Sequence, residues 1–286
     1  MCPKYLIPGL GLVMIMAIFG YFAGCSKDNV PTNQVTEGSL TDPDFVPVQG
    51  QVDSYLDSTV QIFSAALDNS DRAPIDTQYV RGNYSPLGTN DTVTCVYING
   101  WYIIYVAKDN AFMAFHTTDS IQFQKDSVVV ESPLDMDYMH FVRRWEFASK
   151  LTSVTHTNID GYVNLVFAGM DGEFASVNGT KNYNVEWNYV GQDSSVVALY
   201  NMDVTVDNVT IYHSPGAGWP SACPSSGTIQ ADIAQSYTVT KNSIPNTLTR
   251  NWIVTVSINE GVATVKVEGL NKVWSYTKDI CEPSAH

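Results

Sequence analysis

Charge is scarce in this chain. Asp, Glu, Lys and Arg make up 15% of 286 residues, against roughly a quarter in ordinary soluble domains. Basic residues are scarcest: 15 Lys and Arg face 29 Asp and Glu, for a net charge of −14. Such a surface repels nucleic acid and offers a membrane no polybasic patch. Metal-ligand spacing is missing too. There is no Cys-x-x-Cys and no His-x-x-x-His, which argues against a zinc site. Asp135, Asp137 and His140 lie close in "DMDYMH", but on a strand His140 points away from both carboxylates, so they read as solvated turn residues. The Asp-rich turns lack calcium-loop spacing. No Gly-x-Ser-x-Gly occurs. Ser275 and Lys278 match Ser-x-x-Lys only on paper, because residues three apart on a strand face opposite ways. Nothing supports catalysis, and neither a metal nor a cofactor is implied.

What is present begins with "MCPKYLIPGLGLVMIMAIFGYFAGC": Lys4, an apolar run, then Ala23, Gly24 and Cys25. This is the layout of a secretory signal. Phe22-Ala23-Gly24-Cys25 resembles the lipobox of bacterial lipoproteins, with Phe22 where Leu is usual. The resemblance implies cleavage after Gly24 and acylation of Cys25, anchoring the body to the bacterial envelope at the outer membrane, on its periplasmic or surface side. Each buried CH₂ contributes ~0.8 kcal/mol, and stable anchoring takes more than one chain. An uncleaved spanning helix is the alternative, weakened by Pro8, Gly9, Gly11 and Gly20. Three cysteines then remain. Cys223 and Cys281 bracket the C-terminal region, and an exported setting permits them to pair. Cys95 lies in an apolar strand pattern and reads as a buried thiol.

Residues 26–48 are polar, hold Pro31, Pro43 and Pro47, and read as a tether spanning roughly 25–30 Å. In residues 51–67, Val52, Tyr55, Leu56, Val60, Phe63 and Leu67 recur at helical spacing. From about residue 78 everything reads as strand and turn. Asn99-Gly100 is a type I′ hairpin signal between runs apolar on both faces, which implies cover on both sides. Asp160-Gly161 and Asn178-Gly179 read as further hairpin punctuation, and Asn259-Glu260-Gly261 as a short loop. Tyr183, Val185, Trp187 and Tyr189 alternate with polar residues, as do Trp252, Val254, Val256 and Ile258. Many short strands without intervening helices mean antiparallel architecture. The expected fold is all-β: an antiparallel β-sandwich or a curved, partly closed β-barrel, with one N-terminal amphipathic helix. Residues 49–286 form the body, and "SPGAGWPSACPSSG" marks a candidate C-terminal subdomain from about residue 216. The C-terminal pattern around Trp252, Trp274 and Cys281 resembles uncharacterised exported bacterial proteins, which brings no activity with it.

Two features suggest ligand contact. In "DYMHFVRRWEF", His140, Val142, Arg144 and Glu146 share one strand face, suited to an anion or a glycan, while Phe141, Arg143, Trp145 and Phe147 share the other. Trp219 sits in the Gly/Pro-rich loop rather than on a strand. The expectation is a non-catalytic binding or structural module with an envelope protein, glycan or lipid as partner. A carrier of lipid or another apolar ligand is the alternative, since a helix followed by a long meander resembles the half-barrel lipoprotein carriers of the bacterial envelope. An envelope glycan-binding protein is the second alternative, and an envelope hydrolase comes last.

Overall fold

The computed structural model describes residues 35–70, 92–133, 136–150, 155–212 and 223–281. Thirteen strands form one sheet that does not close on itself. In chain order they are β1 (Thr36–Glu37), β2 (Thr92–Ile98), β3 (Trp101–Asp109), β4 (Met113–Lys125), β5 (Val128–Val130), β6 (Tyr138–Ser149) and β7 (Thr155–Ala168). Then follow β8 (Phe174–Val190), β9 (Ser194–Tyr212), β10 (Pro224–Lys241), β11 (Ile244–Asn259), β12 (Val262–Gly269) and β13 (Lys272–Asp279). One helix, α1 (Val46–Ser70), precedes β2. The sheet is an antiparallel meander from β2 to β13, with β5 paired to β4 and β1 added parallel to β13. The all-β expectation holds, with one sheet rather than two and long rather than short strands: β9 runs for 19 residues.

Strand alternation gives this sheet an apolar inner face, and α1 lies across it. Val52, Tyr55, Leu56, Phe63 and Leu67 are buried with Phe141, Phe167, Ile233, Trp252 and Trp274 in one core. Phe63 meets Phe167 edge-on at 6.4 Å, and Phe45 stacks on Trp274 at 4.9 Å. Polar side chains fasten the N-terminal half of the helix and its approach. Lys272 reaches Asp42 at 2.6 Å and Arg250 reaches Asp44 at 2.8 Å. The Tyr276 hydroxyl donates to Asp53 at 2.9 Å, Lys278 pairs with Asp57 at 3.0 Å, and Gln235 donates to Gln51 at 2.7 Å. Regular structure is therefore already present before residue 49. Residues 35–48 are not a tether: they supply β1, the turn at Asp42 and the first turn of α1, where Pro47 is tolerated because early helical N–H groups have no partner in the helix.

Three other readings are corrected. Asp160-Gly161 lies inside β7 and Asn178-Gly179 inside β8, so neither is a turn. Gly161 is required by a neighbour: a Cβ there would meet the Trp145 ring at 2.0 Å. Trp252 lies across Gly269 and Trp274 across Gly38 in the same manner. Gly179, at φ +149°, belongs to an irregularity where β9 holds one residue more than β8, and the Asn178 side chain accepts the Asn208 N–H at 2.8 Å. Gly227 continues this irregularity into β10. The bulge lets Val177 and Val209 at one end, and Val204 and Val206 beyond it, all face the core. Finally, β10 pairs with β9 along nearly its whole length, so the region from about residue 216 continues the same sheet.

Five two-residue turns carry positive φ at both positions: Asn99-Gly100, Asp126-Ser127, Asn242-Ser243, Glu260-Gly261 and Leu270-Asn271. This is the type I′ geometry that matches strand twist. Cys223 and Cys281 are joined, linking the start of β10 to the end of β13 against the Glu260-Gly261 turn.

Two outcomes follow for stability. Gly161→Val forces the Trp145 ring off β7 and should cost about 1–3 kcal/mol, read as a lower Tm. In a Trp145→Ala background the same change should cost much less, because the clash is gone. Cys281→Ser should cost about 4 kcal/mol on the chain-entropy model for a loop of this length, read by urea unfolding under non-reducing conditions.

Candidate functional site

The face turned away from α1 is broad and mostly polar. Strand registers set its rows. One runs Thr118, Arg144, Tyr162, Asn182, Asp203, Asp232 across β4 and β6 to β10. Two outward rows above it lie Gln122, His140 and Val166, beyond the row of Ser120, Val142 and Asn164. His140 and Arg144 therefore do share the outer face, two rows apart. Trp101 meets His140 edge-on at 5.1 Å, and His140 Nε2 bonds Asn164 Oδ1 at 2.7 Å. The Arg144 guanidinium lies 5.3 Å from the Tyr162 ring centre. No carboxylate comes within ion-pair distance of Arg144 among the described residues. Its expected neighbour Glu146 is aligned with Asp160 instead.

Further along the row the charge reverses. Asn182 donates to Asp203, and Asn184 donates to Asp160 at 2.8 Å and to Asn182 at 2.9 Å. A shallow cleft of about 240 Å³ opens between Thr180, Asn182, Asp203, Gln230 and Asp232. One row thus offers a guanidinium over an aromatic ring, then the Asn182 amide, then the carboxylates of Asp203 and Asp232. Such a surface can hydrogen-bond a polar chain laid across the strands. No group of three or more potential metal ligands occurs among the described residues. Trp219, Asp135 and Cys25 lie outside the described residues.

The inner face holds charged groups that the sequence reading did not single out. Arg143 makes a two-pronged contact with Asp119 at 2.7 and 2.6 Å, and Asp119 is buried. Lys181 is stranger. It faces the core between Val163 and Val204, donates to Ser58 Oγ at 2.7 Å, and lies 5.2 Å from the Tyr55 ring centre. Ser58 passes the bond on to the Tyr55 carbonyl at 2.9 Å. No carboxylate joins them among the described residues, and burial pushes the Lys181 ammonium down to about 7. Burial also raises the Tyr183 hydroxyl to about 12. The signal was available: Lys181 has the same strand parity as Tyr183 and Val185. Cys95 is half-buried on the inner side of β2, less enclosed than expected.

No family model, curated protein or solved structure matches the chain.

The Lys181 site sets a pH dependence. Its folded pKa lies below the roughly 10.4 of an unfolded lysine. The unfolded chain therefore holds a proton that the folded chain has released between about pH 7 and 10. Stability should rise across that window by up to about 1.4 kcal/mol per pH unit from this group, and its contribution should be flat below 7. Lys181→Met should be the more stable protein at pH 6–7 and should lose this slope. Urea unfolding of both proteins at pH 6, 7, 8 and 9 measures the difference.

Proposed function

We propose that this protein is a membrane-anchored lipoprotein of the bacterial envelope, held by acylated Cys25, and that it works as a non-catalytic binding module. Its working surface is the outer face of the sheet around Trp101, His140, Arg144 and Tyr162. The observation that carries this reading is Arg144. In a chain of net charge −14, an exposed guanidinium sits over Tyr162 with no carboxylate partner among the described residues. The neighbouring amides and hydroxyls suit a carboxylate-bearing glycan: they supply hydrogen bonds along its length while Arg144 takes the acid. The carrier reading has less support. It needs an open inner face, and α1 fills the middle of that face with Phe63, Leu56 and Leu67.

The test uses the chain from residue 25 onward with Cys25→Ser. It should co-sediment with purified cell-wall glycan from a Gram-negative envelope. Arg144→Ala should weaken binding at least tenfold, consistent with the roughly 1.5–3 kcal/mol of a hydrogen bond to a charged group. Arg144→Lys should recover part of it. Loss of affinity with added salt should accompany binding. No binding, or binding indifferent to Arg144→Ala, would overturn the glycan reading. A lipid-sized mass released from the native protein by denaturation would favour the carrier.

A further inference from the structure

The four longest strands, β8 to β11, run past the ends of their neighbours. β12 last meets β11 at the pair Ile253 and Glu268, yet β11 extends back to Ile244. On the other side β6 last pairs at the level of Glu186, and β8 continues to Val190. Two hairpin tips therefore project side by side: Gly191-Gln192-Asp193 between β8 and β9, and Asn242-Ser243 between β10 and β11. β9 and β10 stay paired to the last residues, Ser194 with Lys241, so the two hairpins form one tongue.

The tongue differs in composition from the rest of the chain. Residues 187–200 and 236–249 hold one acid, Asp193, and one base, Lys241, in a chain of net charge −14. Their other polar groups are hydroxyls and amides. Ile244 is 72% exposed, Val190 59%, Leu248 44% and Leu199 42%. Behind the tips, Trp187 stacks on Tyr189 at 6.2 Å, and Tyr200 and Tyr237 lie on the adjoining strands. Aliphatic tips backed by Trp and Tyr suit a membrane–water interface, where rings with a polar edge collect. The opposite end of the strands is unlike this: Asp126, Asp137, Asp171, Glu173 and Glu260 stand at its turns. Exposed apolar side chains occur elsewhere too. Val96 is 52% exposed on the outer side of β2, which corrects the expectation of cover on both sides of that hairpin. Only the tongue joins such residues to near-absence of charge and to the end from which the chain enters the fold.

We propose that this tongue enters the interface of the bilayer that holds Cys25, so that β8 to β11 stand upright on the membrane. The proposal rests on the lipoprotein reading of Cys25. Chain direction and length name a lipid surface as the occupant. β1 runs parallel to β13 and pairs Thr36 with Lys272, just past the Leu270-Asn271 turn. That turn points the same way as Asn242-Ser243, so the chain enters from the side of the tongue. Lys272 is paired with Gly269, next to Glu268, which places Thr36 level with Trp252. Ile244 lies eight residues beyond Trp252, a rise of about 27 Å. Cys25 precedes Val35 by ten residues, which span at most about 33–36 Å when extended. The anchor therefore reaches the plane of the tips with little to spare, and it holds the tongue against the lipid. The acidic end then points away from the bilayer. Asp203, eight residues above Ser195, stands about 27 Å clear of the tips, and the outer face is left free to meet a glycan.

Flotation of the chain from residue 25 onward, with Cys25→Ser, tests the tongue without the anchor. Vesicles of phosphatidylethanolamine and phosphatidylglycerol, at up to about 5 mM lipid, should carry a measurable fraction of the protein upward. Because the insertion is apolar, raising salt from about 0.1 to 0.5 M should not reduce that fraction. Val190→Asp combined with Ile244→Asp should lower the partition coefficient at least fivefold, with an unchanged far-UV circular dichroism spectrum. Val96→Asp, on a strand far from the tongue, should leave partitioning unchanged. No flotation would overturn the proposal, whether the chain alone in solution is a monomer or a dimer. So would flotation that is indifferent to the double variant, lost equally with Val96→Asp, or abolished by salt. The lipoprotein reading fails by a separate result: a full-length chain, extracted from host membranes, whose mass shows no added acyl groups.

Discussion

A single sheet has two faces and can make a core on only one of them, so the fold depends on α1 staying seated. Among the described residues no second sheet supplies the opposing layer. The apolar inner residues of β4 and β6 to β13 gain their burial from one helix and the strap that leads into it. A fully buried Leu, Phe or Val stabilises by about 1.5–3 kcal/mol, and α1 with Phe45 contributes six such positions from Phe45 to Leu67, with Tyr55 and Ala66 buried beside them. The polar fastenings at Asp42, Asp44, Asp53 and Asp57 add modest energy, being partly exposed. They fix where the helix sits. Desolvation, opposed by Lys278 and the Tyr276 hydroxyl, raises the Asp53 carboxyl above its usual range. Lys181 works against the same contact, because it brings an ammonium group into a dry interface with one hydroxyl as its acceptor.

The site follows from that division of labour. Because the inner face is committed to α1, every second residue of a strand is turned outward, and strands of 12 to 19 residues make that outer surface broad. The bulge at Asn178, Asn208 and Gly227 shifts one strand by a residue without exposing the core, so the outer rows stay polar on both sides of it. Arg144 and Asp203 then fall on one row by register alone, 59 positions apart in the chain and four strands apart in the sheet, counting β6 and β9.

The period-two alternation made the fold class legible, along with the inner residues of β8 and β11 and the outward placement of His140 and Arg144. The stripe from Val52 to Leu67 made α1 legible. Failures arose where a local signal was used for a long-range purpose. Asp-Gly and Asn-Gly usually mean a turn, yet Gly161 makes room for a tryptophan on the next strand, and Gly179 belongs to a bulge whose partner is on β9. Turns were missed for the converse reason: Asp126-Ser127, Asn242-Ser243 and Leu270-Asn271 reach positive φ without a glycine. Residues 35–48 looked like a tether because polar, proline-bearing sequence is read as unstructured. Their order comes from Lys272, Arg250 and Trp274, all more than 200 positions away. Lys181 has the right parity to be inward, but that it would be buried without an acid depends on α1 placing Ser58 and Tyr55 above it.

The low charge of the chain now has a structural cause. A wide outer face carrying ions at every second position would repel itself across strands spaced about 4.8 Å apart. Asn, Thr, Ser and Gln avoid that cost and bond one another laterally, as Asn182, Asn184 and Asp160 do. The same substitution makes each remaining charge count. With few counter-charges on the face, an arginine placed over a tyrosine keeps its hydrogen-bonding capacity for whatever approaches from outside.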